Sequence, residues 1–334
     1  MAERNADRFL AEAGWGDAVR LPLPGDASFR RYVRLVGARG RAMLMDAPPP
    51  RENVRPFLAV ARLLHRLGLT APQILAEDAS AGFLLLEDFG DDTYTRLLAA
   101  GTAEAPLYAL AVDVLVALNR RFAADMAPDL PPYDEARLLT EAALLVDWYL
   151  PAITGRPTTA ALREDYLALW QALLPLARGV PETLVLRDYH VDNLMRLDGR
   201  DGIAACGLLD FQDAVLGPLA YDLVSLLEDA RRDVPAELAR AMRDRFLAAF
   251  PTLDRAAFDR SYAVLGAQRN CKIVGIFTRL CLRDGKPVYL AHIPRVWRLI
   301  EQDLRHPALA PFAEWLDRHI PAGARCIPPV RPAA

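Results

Sequence analysis

Residues Val185 to Gly199 read VLRDYHVDNLMRLDG, and Gly207 to Leu227 read GLLDFQDAVLGPLAYDLVSLL. In the first stretch an apolar run, a polar turn and a second apolar run predict a strand, a loop and another short strand. In the second, Asp210 follows directly on an apolar run, and Asp222 stands at the start of a helical pattern. Asp188, Asn193, Asp210 and Asp222 therefore crowd around short apolar segments. The organisation of the whole chain turns on what that arrangement is for.

Upstream of these stretches the chain changes character once. FRRYVRLVG and RAMLMDA are β-compatible and separated by the polar, Gly-containing ARG, which predicts an antiparallel hairpin. PPPRENVRPFLAVARLLHRLGL predicts a helix with Val54, Phe57, Ala61, Leu64 and Leu67 on one face. PQILAEDASAGFLLLEDFGDD reads as two strands joined by DASAG. From TYTRLLAAG onward helical periodicity dominates, with Leu107, Leu110, Ala111, Val114, Leu118 and Phe122 in one stripe. The expected architecture is α+β and two-lobed: a small β-rich lobe over residues 1–88, a short hinge, and a larger helical lobe over 89–334.

The composition sets limits on function. Of 334 residues, 53% are hydrophobic and 25% charged, with a net charge of −3, ordinary for a globular protein. That balance gives no reason to expect nucleic acid or an anionic membrane as a partner. The charged start, MAERNADRFLAEAGWG, has no apolar h-region, and no run reaches the ~18 apolar residues of a spanning helix. A cytoplasmic monomer is expected. Cys206, Cys271, Cys281 and Cys326 form no C-x-x-C pair, and three of them lie in apolar surroundings, so buried reduced thiols are expected. His65, His292, His306 and His319 show no spacing for a metal site.

The residue types point to phosphoryl transfer onto a hydroxyl. That reaction needs a carboxylate to orient the hydroxyl and accept its proton. It also needs oxygen ligands for a Mg²⁺ ion that neutralises charge on the phosphates. Asp188 and Asn193, five apart on one loop, supply one of each, and Asp210 supplies a second oxygen ligand. Protein kinases present the same D-x-x-x-x-N…D-F order.

With GDASFRRY, LMDAPP, LLLEDFGD, RDYHVDNL, LLDFQDA, GPLAYDLVSLLEDAR and GIFTRL, the chain resembles the aminoglycoside phosphotransferase-like kinase superfamily over nearly its whole length. Within it the chain looks most like the bacterial anomeric kinases of N-acetylmuramate and N-acetylglucosamine that serve cell-wall sugar recycling. The resemblance implies ATP and Mg²⁺, with Asp188 as catalytic base and Asn193 and Asp210 as Mg²⁺ ligands. It implies that Asp222 braces the catalytic loop, that Gly25, Asp26, Ala27 and Ser28 belong to a phosphate-covering loop, and that Glu87, Asp88 and Phe89 form the hinge that meets adenine. His190 falls where related enzymes carry a His; it reads either as a substrate contact or as a polar loop residue under Asp188.

One part of the kinase pattern is missing. Met45 stands where the third strand would carry a phosphate-holding Lys, and the chain's only lysines are Lys272 and Lys286. Arg30, Arg31 or Arg41 is expected to serve the phosphates instead. The alternative is a silent nucleotide binder. Glu52, which would pair with that lysine, is left as an exposed residue near a helix start.

The acceptor is expected from QRNCKIVGIFTRLCLRDGK, which carries Arg269, Lys272, Arg279, Arg283 and Lys286 against Asp284 alone. Polycationic antibiotics would want an acidic pocket, so a neutral or anionic sugar fits better. Arg279 stands out as partly buried, Arg269 adds charge, and Gln268 and Asn270 are candidates to read acetamido or ring hydroxyls. Trp148 and Tyr149 are read as core. A kinase for another small hydroxyl compound or an antibiotic remains the rival within the enzyme class.

Overall fold

In the computed structural model, residues 5–24 and 29–329 are described. Helix α1 (Ala6–Glu12) starts at Asn5, whose side chain accepts the Arg8 N–H, and leads into strand β1 (Val19–Pro22). The predicted hairpin follows as β2 (Arg31–Gly37) and β3 (Gly40–Asp46), with Gly40 at φ 98° closing its turn. Helix α2 (Arg55–Arg66), with Pro56 in its first turn, comes next, and Val54, Phe57, Ala61, Leu64 and Leu67 are all buried. Strands β4 (Ile74–Asp78) and β5 (Phe83–Glu87) complete an antiparallel sheet of order β1-β2-β3-β5-β4.

Alternation along the strands sets which side chains meet α1. Ala42 and Leu44 of β3 and Phe83 and Leu85 of β5 join Phe9, Leu10, Trp15 and Leu35 in one cluster. Met45 pairs with Leu84 in the β3–β5 register, and both are buried.

The chain continues through α3 (Tyr94–Ala99), α4 (Glu104–Arg121), α5 (Glu135–Ala142), a π-helical turn over Leu145–Tyr149, α6 (Leu150–Thr154) and α7 (Ala160–Ala177). Strand β6 (Glu182–Val185) precedes the loop singled out above. A hairpin then follows, β7 (Leu194–Arg196) with β8 (Cys206–Leu208), before β9 (Val215–Pro218) returns to pair with β6. The remainder is helical: α8 (Tyr221–Leu227), α9 (Ala236–Ala248), α10 (Arg255–Leu282), α11 (Ile293–Asp303) and α12 (Ala310–His319). Tyr149 is fully buried, as expected of a core residue, and Cys206, Cys271 and Cys281 are buried free thiols. No helix among the described residues is long and apolar enough to cross a membrane.

The chain forms two compact units, Met1–Arg121 with Val191–Ala214, and Phe122–His190 with Val215–Ala334. This differs from a single cut between residues 88 and 89. The β7–β8 hairpin belongs to the first unit because its backbone bonds there: Leu208 N donates to Thr70 O at 2.8 Å and Arg196 N to Asp92 O at 2.8 Å. Helix α4 also packs on β8 and on the short turn before it.

Candidate active site

In the second unit the chain leaves β6 and turns sharply at Arg187, whose φ of 69° is left-handed. A side chain other than glycine rarely adopts this conformation unless its surroundings hold it. Here they do. The Asp222 carboxylate, in the first turn of α8, accepts the N–H of Leu186 at 2.7 Å and of Arg187 at 2.9 Å. One turn on, Ser225 Oγ donates to Arg187 O at 3.2 Å, and Arg269 Nη2 donates to Ser225 Oγ at 2.9 Å. Burial pushes the Asp222 carboxyl up to about 7, against the pull of those two N–H groups.

Asp188 therefore follows a backbone fixed at three points. Its side chain stands in a field of cations. Burial alone would raise its carboxyl, but Lys272, His190, Arg269 and Arg187 together hold it below the ordinary aspartate range. Two of these cations are locked by one acid. Glu141 of α5 forms an ion pair with Arg187, takes a hydrogen bond from Tyr133 OH, and lies 3.4 Å from Lys272 Nζ. Lys272 also donates to Tyr221 OH at 3.4 Å. Burial opposes the Arg187 charge, but Glu141 and its neighbours raise its pKa above the usual value. His190 is buried, which lowers its pKa, while Asp229 and Asp188 draw it back up.

The first unit holds the other predicted oxygen ligands. Leu209 N donates to Asn193 O at 3.0 Å, so Asn193 and Asp210 lie at the same end of the β7–β8 ladder. Asp210, like Arg187, has a left-handed backbone, at φ 55°. Phe211 anchors that turn by stacking on Phe57 at 4.9 Å between ring centroids. Gln212 Nε2 donates to Asp210 Oδ1 at 2.9 Å, and Arg30 Nη2 lies 3.3 Å from the same oxygen. The side-chain oxygens of an amide and a carboxylate suit Mg²⁺, which takes one or two protein oxygens and the rest from phosphates and water. The described residues contain no cluster of three or more His, Cys, Asp or Glu side chains for a metal held by protein alone.

Two readings of the first unit change. Glu52 is not an isolated exposed acid: it accepts the Phe29 N–H at 3.0 Å and lies 3.9 Å from Arg30 Nε. It pairs with the arginine that faces Asp210, in the way a helix glutamate would pair with a strand lysine. Among the candidate cations, only Arg30 is placed at Asp210. Arg31 is exposed on β2, opposite Asp46, and Arg41 is exposed, 3.8 Å from Asp88. Gly25, Asp26, Ala27 and Ser28 lie outside the described residues.

The Glu87–Phe89 strip is tied down by side chains that its sequence did not reveal. Glu87 forms an ion pair with Arg200, Asp88 with Arg34 at 2.8 Å, and the Phe89 ring lies under the Arg200 guanidinium at 5.6 Å. Phe89 also packs on Gly207, where a Cβ would stand 2.7 Å from the ring. The strip lines a cavity of about 450 Å³ with Arg196 and Asp198.

The basic segment of α10 does not form one face. Successive residues on a helix turn by about 100°, and α10 is buried on most sides. Gln268 is fully buried and donates to Leu138 O at 2.9 Å; Asn270 is fully buried and donates to Glu228 Oε2 at 2.8 Å. Both are internal braces, which corrects their reading as sugar contacts. Arg269 is buried too, and acts on Asp188 while bonding Ser225 Oγ and Glu228 O. Arg279 is half-buried as expected, but the charges acting on it are Arg283 and Asp284, so the structure does not bring it to Asp188. Sequence reasoning missed Glu141, Tyr133, Tyr221, Ser225 and Asp229, and named Lys272 only within the basic acceptor segment.

Residues 20–258 match the model of a family described as "Phosphotransferase enzyme family". A Caulobacter vibrioides protein named N-acetylmuramate/N-acetylglucosamine kinase is 41% identical over 97% of this chain and 99% of its own. A Pseudomonas aeruginosa protein of the same name is 40% identical over 95% of this chain and 93% of its own. Among solved structures, the GDP complex of aminoglycoside 2'-phosphotransferase-IIIa aligns with a TM-score of 0.61 at 14% identity, covering 88% of this chain and 95% of that one. A choline/ethanolamine kinase family protein from Mesorhizobium loti aligns with a TM-score of 0.59 at 15% identity, over 94% and 97%. These last two likenesses concern the fold.

Proposed function

Because the chain belongs to the phosphotransferase enzyme family, we propose that it moves the γ-phosphoryl group of ATP to the anomeric hydroxyl of N-acetylmuramate or N-acetylglucosamine, within peptidoglycan recycling. The observation that carries this reading is Asp188: a carboxylate held below the ordinary aspartate range beside Lys272, Arg269 and Arg187, on a backbone locked by Asp222 and Ser225. A binding module has no use for such a group.

Asp188 orients the sugar hydroxyl and takes its proton as the oxygen bonds to the γ-phosphorus. The bond from that phosphorus to the β-phosphate oxygen breaks, ADP leaves, and the sugar 1-phosphate remains. Asn193 and Asp210 would hold Mg²⁺, which supplies neutralisation of the phosphate charge when bound. Arg30 serves the phosphates in place of the strand lysine, with Glu52 orienting it. Lys272, Arg269, Arg187 and Arg231 act on Asp188 or His190. Such a field favours neutral or anionic acceptors over polycationic aminoglycosides.

The test is ADP release with ATP, Mg²⁺ and N-acetylmuramate, N-acetylglucosamine or kanamycin, for wild type and Asp188→Asn. Release with an acetylated amino sugar, lost in the variant, is expected. Nucleotide binding with no release from any acceptor would favour the silent binder. The anomeric position follows from the sequence resemblance, and phosphorus NMR of the product checks it: a 6-phosphate would overturn it.

A further inference from the structure

Arg187 and Asp188 are neighbours in the chain, so what holds the first limits where the second can point. The Arg187 guanidinium pairs with Glu141 of α5 and lies 5.6 Å over the Tyr133 ring, while its backbone N–H is taken by Asp222. Tyr133 is fixed in turn. Its N–H donates to Leu216 O at 2.7 Å, and Gly217 of β9 leaves it room, since a Cβ there would stand 2.9 Å from Tyr133 Cβ. The Tyr133 ring also meets Tyr221 edge-on at 5.0 Å, and the Tyr221 OH accepts from Lys272 Nζ at 3.4 Å.

Glu141 stands at the centre of this set. It is buried, and both of its oxygens are occupied: one meets Arg187 Nη2, and the other accepts from Tyr133 OH and lies 3.4 Å from Lys272 Nζ. Burial would raise its carboxyl, but Lys272 and Arg187 hold it below the usual glutamate range. One carboxylate thus serves two cations. Burial lowers the Lys272 pKa, yet Tyr221, Glu141 and Asp188 raise it above the usual value. Lys272 therefore stands in the field of two carboxylates, Glu141 and Asp188.

Building on the proposed sugar kinase function, we infer that Glu141 is a positioning residue for the base: by holding Arg187 and Lys272 together it fixes the turn that presents Asp188 and offsets cationic charge that would otherwise fall on it. With both oxygens taken by protein groups, Glu141 acts through these two residues and not by touching a substrate. The charges that face Asp188 are Lys272 and Arg269 of α10, His190 and Arg187 of its own loop, and Asp222 of α8. Removing an anion from beside the cations lets them depress Asp188 further, and a carboxylate so depressed is a weaker base.

The experiment measures kcat, KM and the pH profile of kcat/KM for Glu141→Gln, Lys272→Met and the double variant, with thermal unfolding as a check on folding. In Glu141→Gln, kcat is expected to fall about tenfold or more, the loss of a charge-assisted contact, while the KM values for ATP and sugar stay close to wild type. Glu141→Asp, which keeps the charge on a shorter arm, should recover part of the loss. The double variant should lose less than the two single losses multiplied together, because Glu141 then has one cation fewer to hold. Its acid limb should lie at lower pH than that of Lys272→Met, since the anion that opposes Arg187 is gone. Losses that simply multiply, or a limb left where Lys272→Met puts it, would overturn the inference, as would a wild-type kcat in Glu141→Gln. If Glu141→Gln does not fold, Lys272→Met against the double variant, in which a cation leaves with the anion, decides by the same limb. Wild-type protein that phosphorylates neither sugar would instead overturn the sugar kinase reading, and this inference with it.

Discussion

The Asp222 carboxylate takes the Arg187 N–H at 2.9 Å, one residue before the proposed base, and so fixes a left-handed backbone that arginine seldom adopts. Replacing Asp222 with Ala leaves two N–H groups, the buried one of Leu186 and the part-buried one of Arg187, without an acceptor. Each such group costs about 1–3 kcal/mol. Asp222→Ala should therefore lose several kcal/mol in urea unfolding, and kcat should fall with it. Asp222→Asn, which keeps one oxygen, should lose less. A stability within 0.5 kcal/mol of wild type would remove Asp222 from this role.

Lys272 contributes most among the charges that keep Asp188 below the ordinary aspartate range. Because that carboxyl is depressed in the folded state, its ionised form is stabilised. The associated stability is present above the unfolded value of about 3.9 and is lost as pH falls through the lower folded value. In Lys272→Met the Asp188 pKa rises, so the acid limb of the kcat/KM profile should move to higher pH. A limb that stays in place, or moves lower, would show that Lys272 does not tune the base.

Arg30 bridges Glu52 and Asp210, at 3.9 and 3.3 Å. If it replaces the missing lysine, Arg30→Ala should raise the KM for ATP about tenfold, the loss of a charge-assisted contact, with a smaller change in Arg30→Lys. Steady-state kinetics at saturating sugar would read this. A rise in the sugar KM alone would place Arg30 elsewhere in the reaction.

The metal assignment has its own readout. Asp210→Asn and Asn193→Ala should each increase the Mg²⁺ concentration needed for half-maximal rate, and EDTA should abolish turnover in wild type. A normal Mg²⁺ requirement in both variants would leave these two side chains without a metal.

Gly275 of α10 lies against the backbone of Leu144, where a Cβ would stand 2.3 Å from the carbonyl carbon. Gly275→Ala should push that segment away from α10 and cost about 2 kcal/mol or more, since overpacking a close contact strains both elements. Thermal unfolding would show it. An unchanged melting temperature would mean that the Leu144 turn can give way freely.

Much of the fold was legible in the chain because its signals are local. Alternating YVRLV with a Gly-closed turn dictates the β2–β3 hairpin, and the stripe from Val54 to Leu67 dictates α2. Strand β1 was not legible: its four residues are all exposed and end in Pro22, so no alternation marks them. Helix α10 was legible as a helix but not in its faces. It is buried nearly all round, and a chain of polar residues inside it gives no hint of which one looks toward the base.

The sequence by itself determined the order of the chemical groups. Asp188, Asn193 and Asp210 occupy turns set by neighbouring apolar runs and Asp222 opens helix α8, and both a turn and a helix start depend on residues only a few positions apart. Tertiary structure alone decided which charges surround them. Glu141 reaches Arg187 across 46 positions of chain and Arg30 reaches Asp210 across 180. Such pairs are chosen by how helices and strands pack, because packing alone brings charges so distant in sequence within reach of one another. No spacing rule in the sequence carries that information.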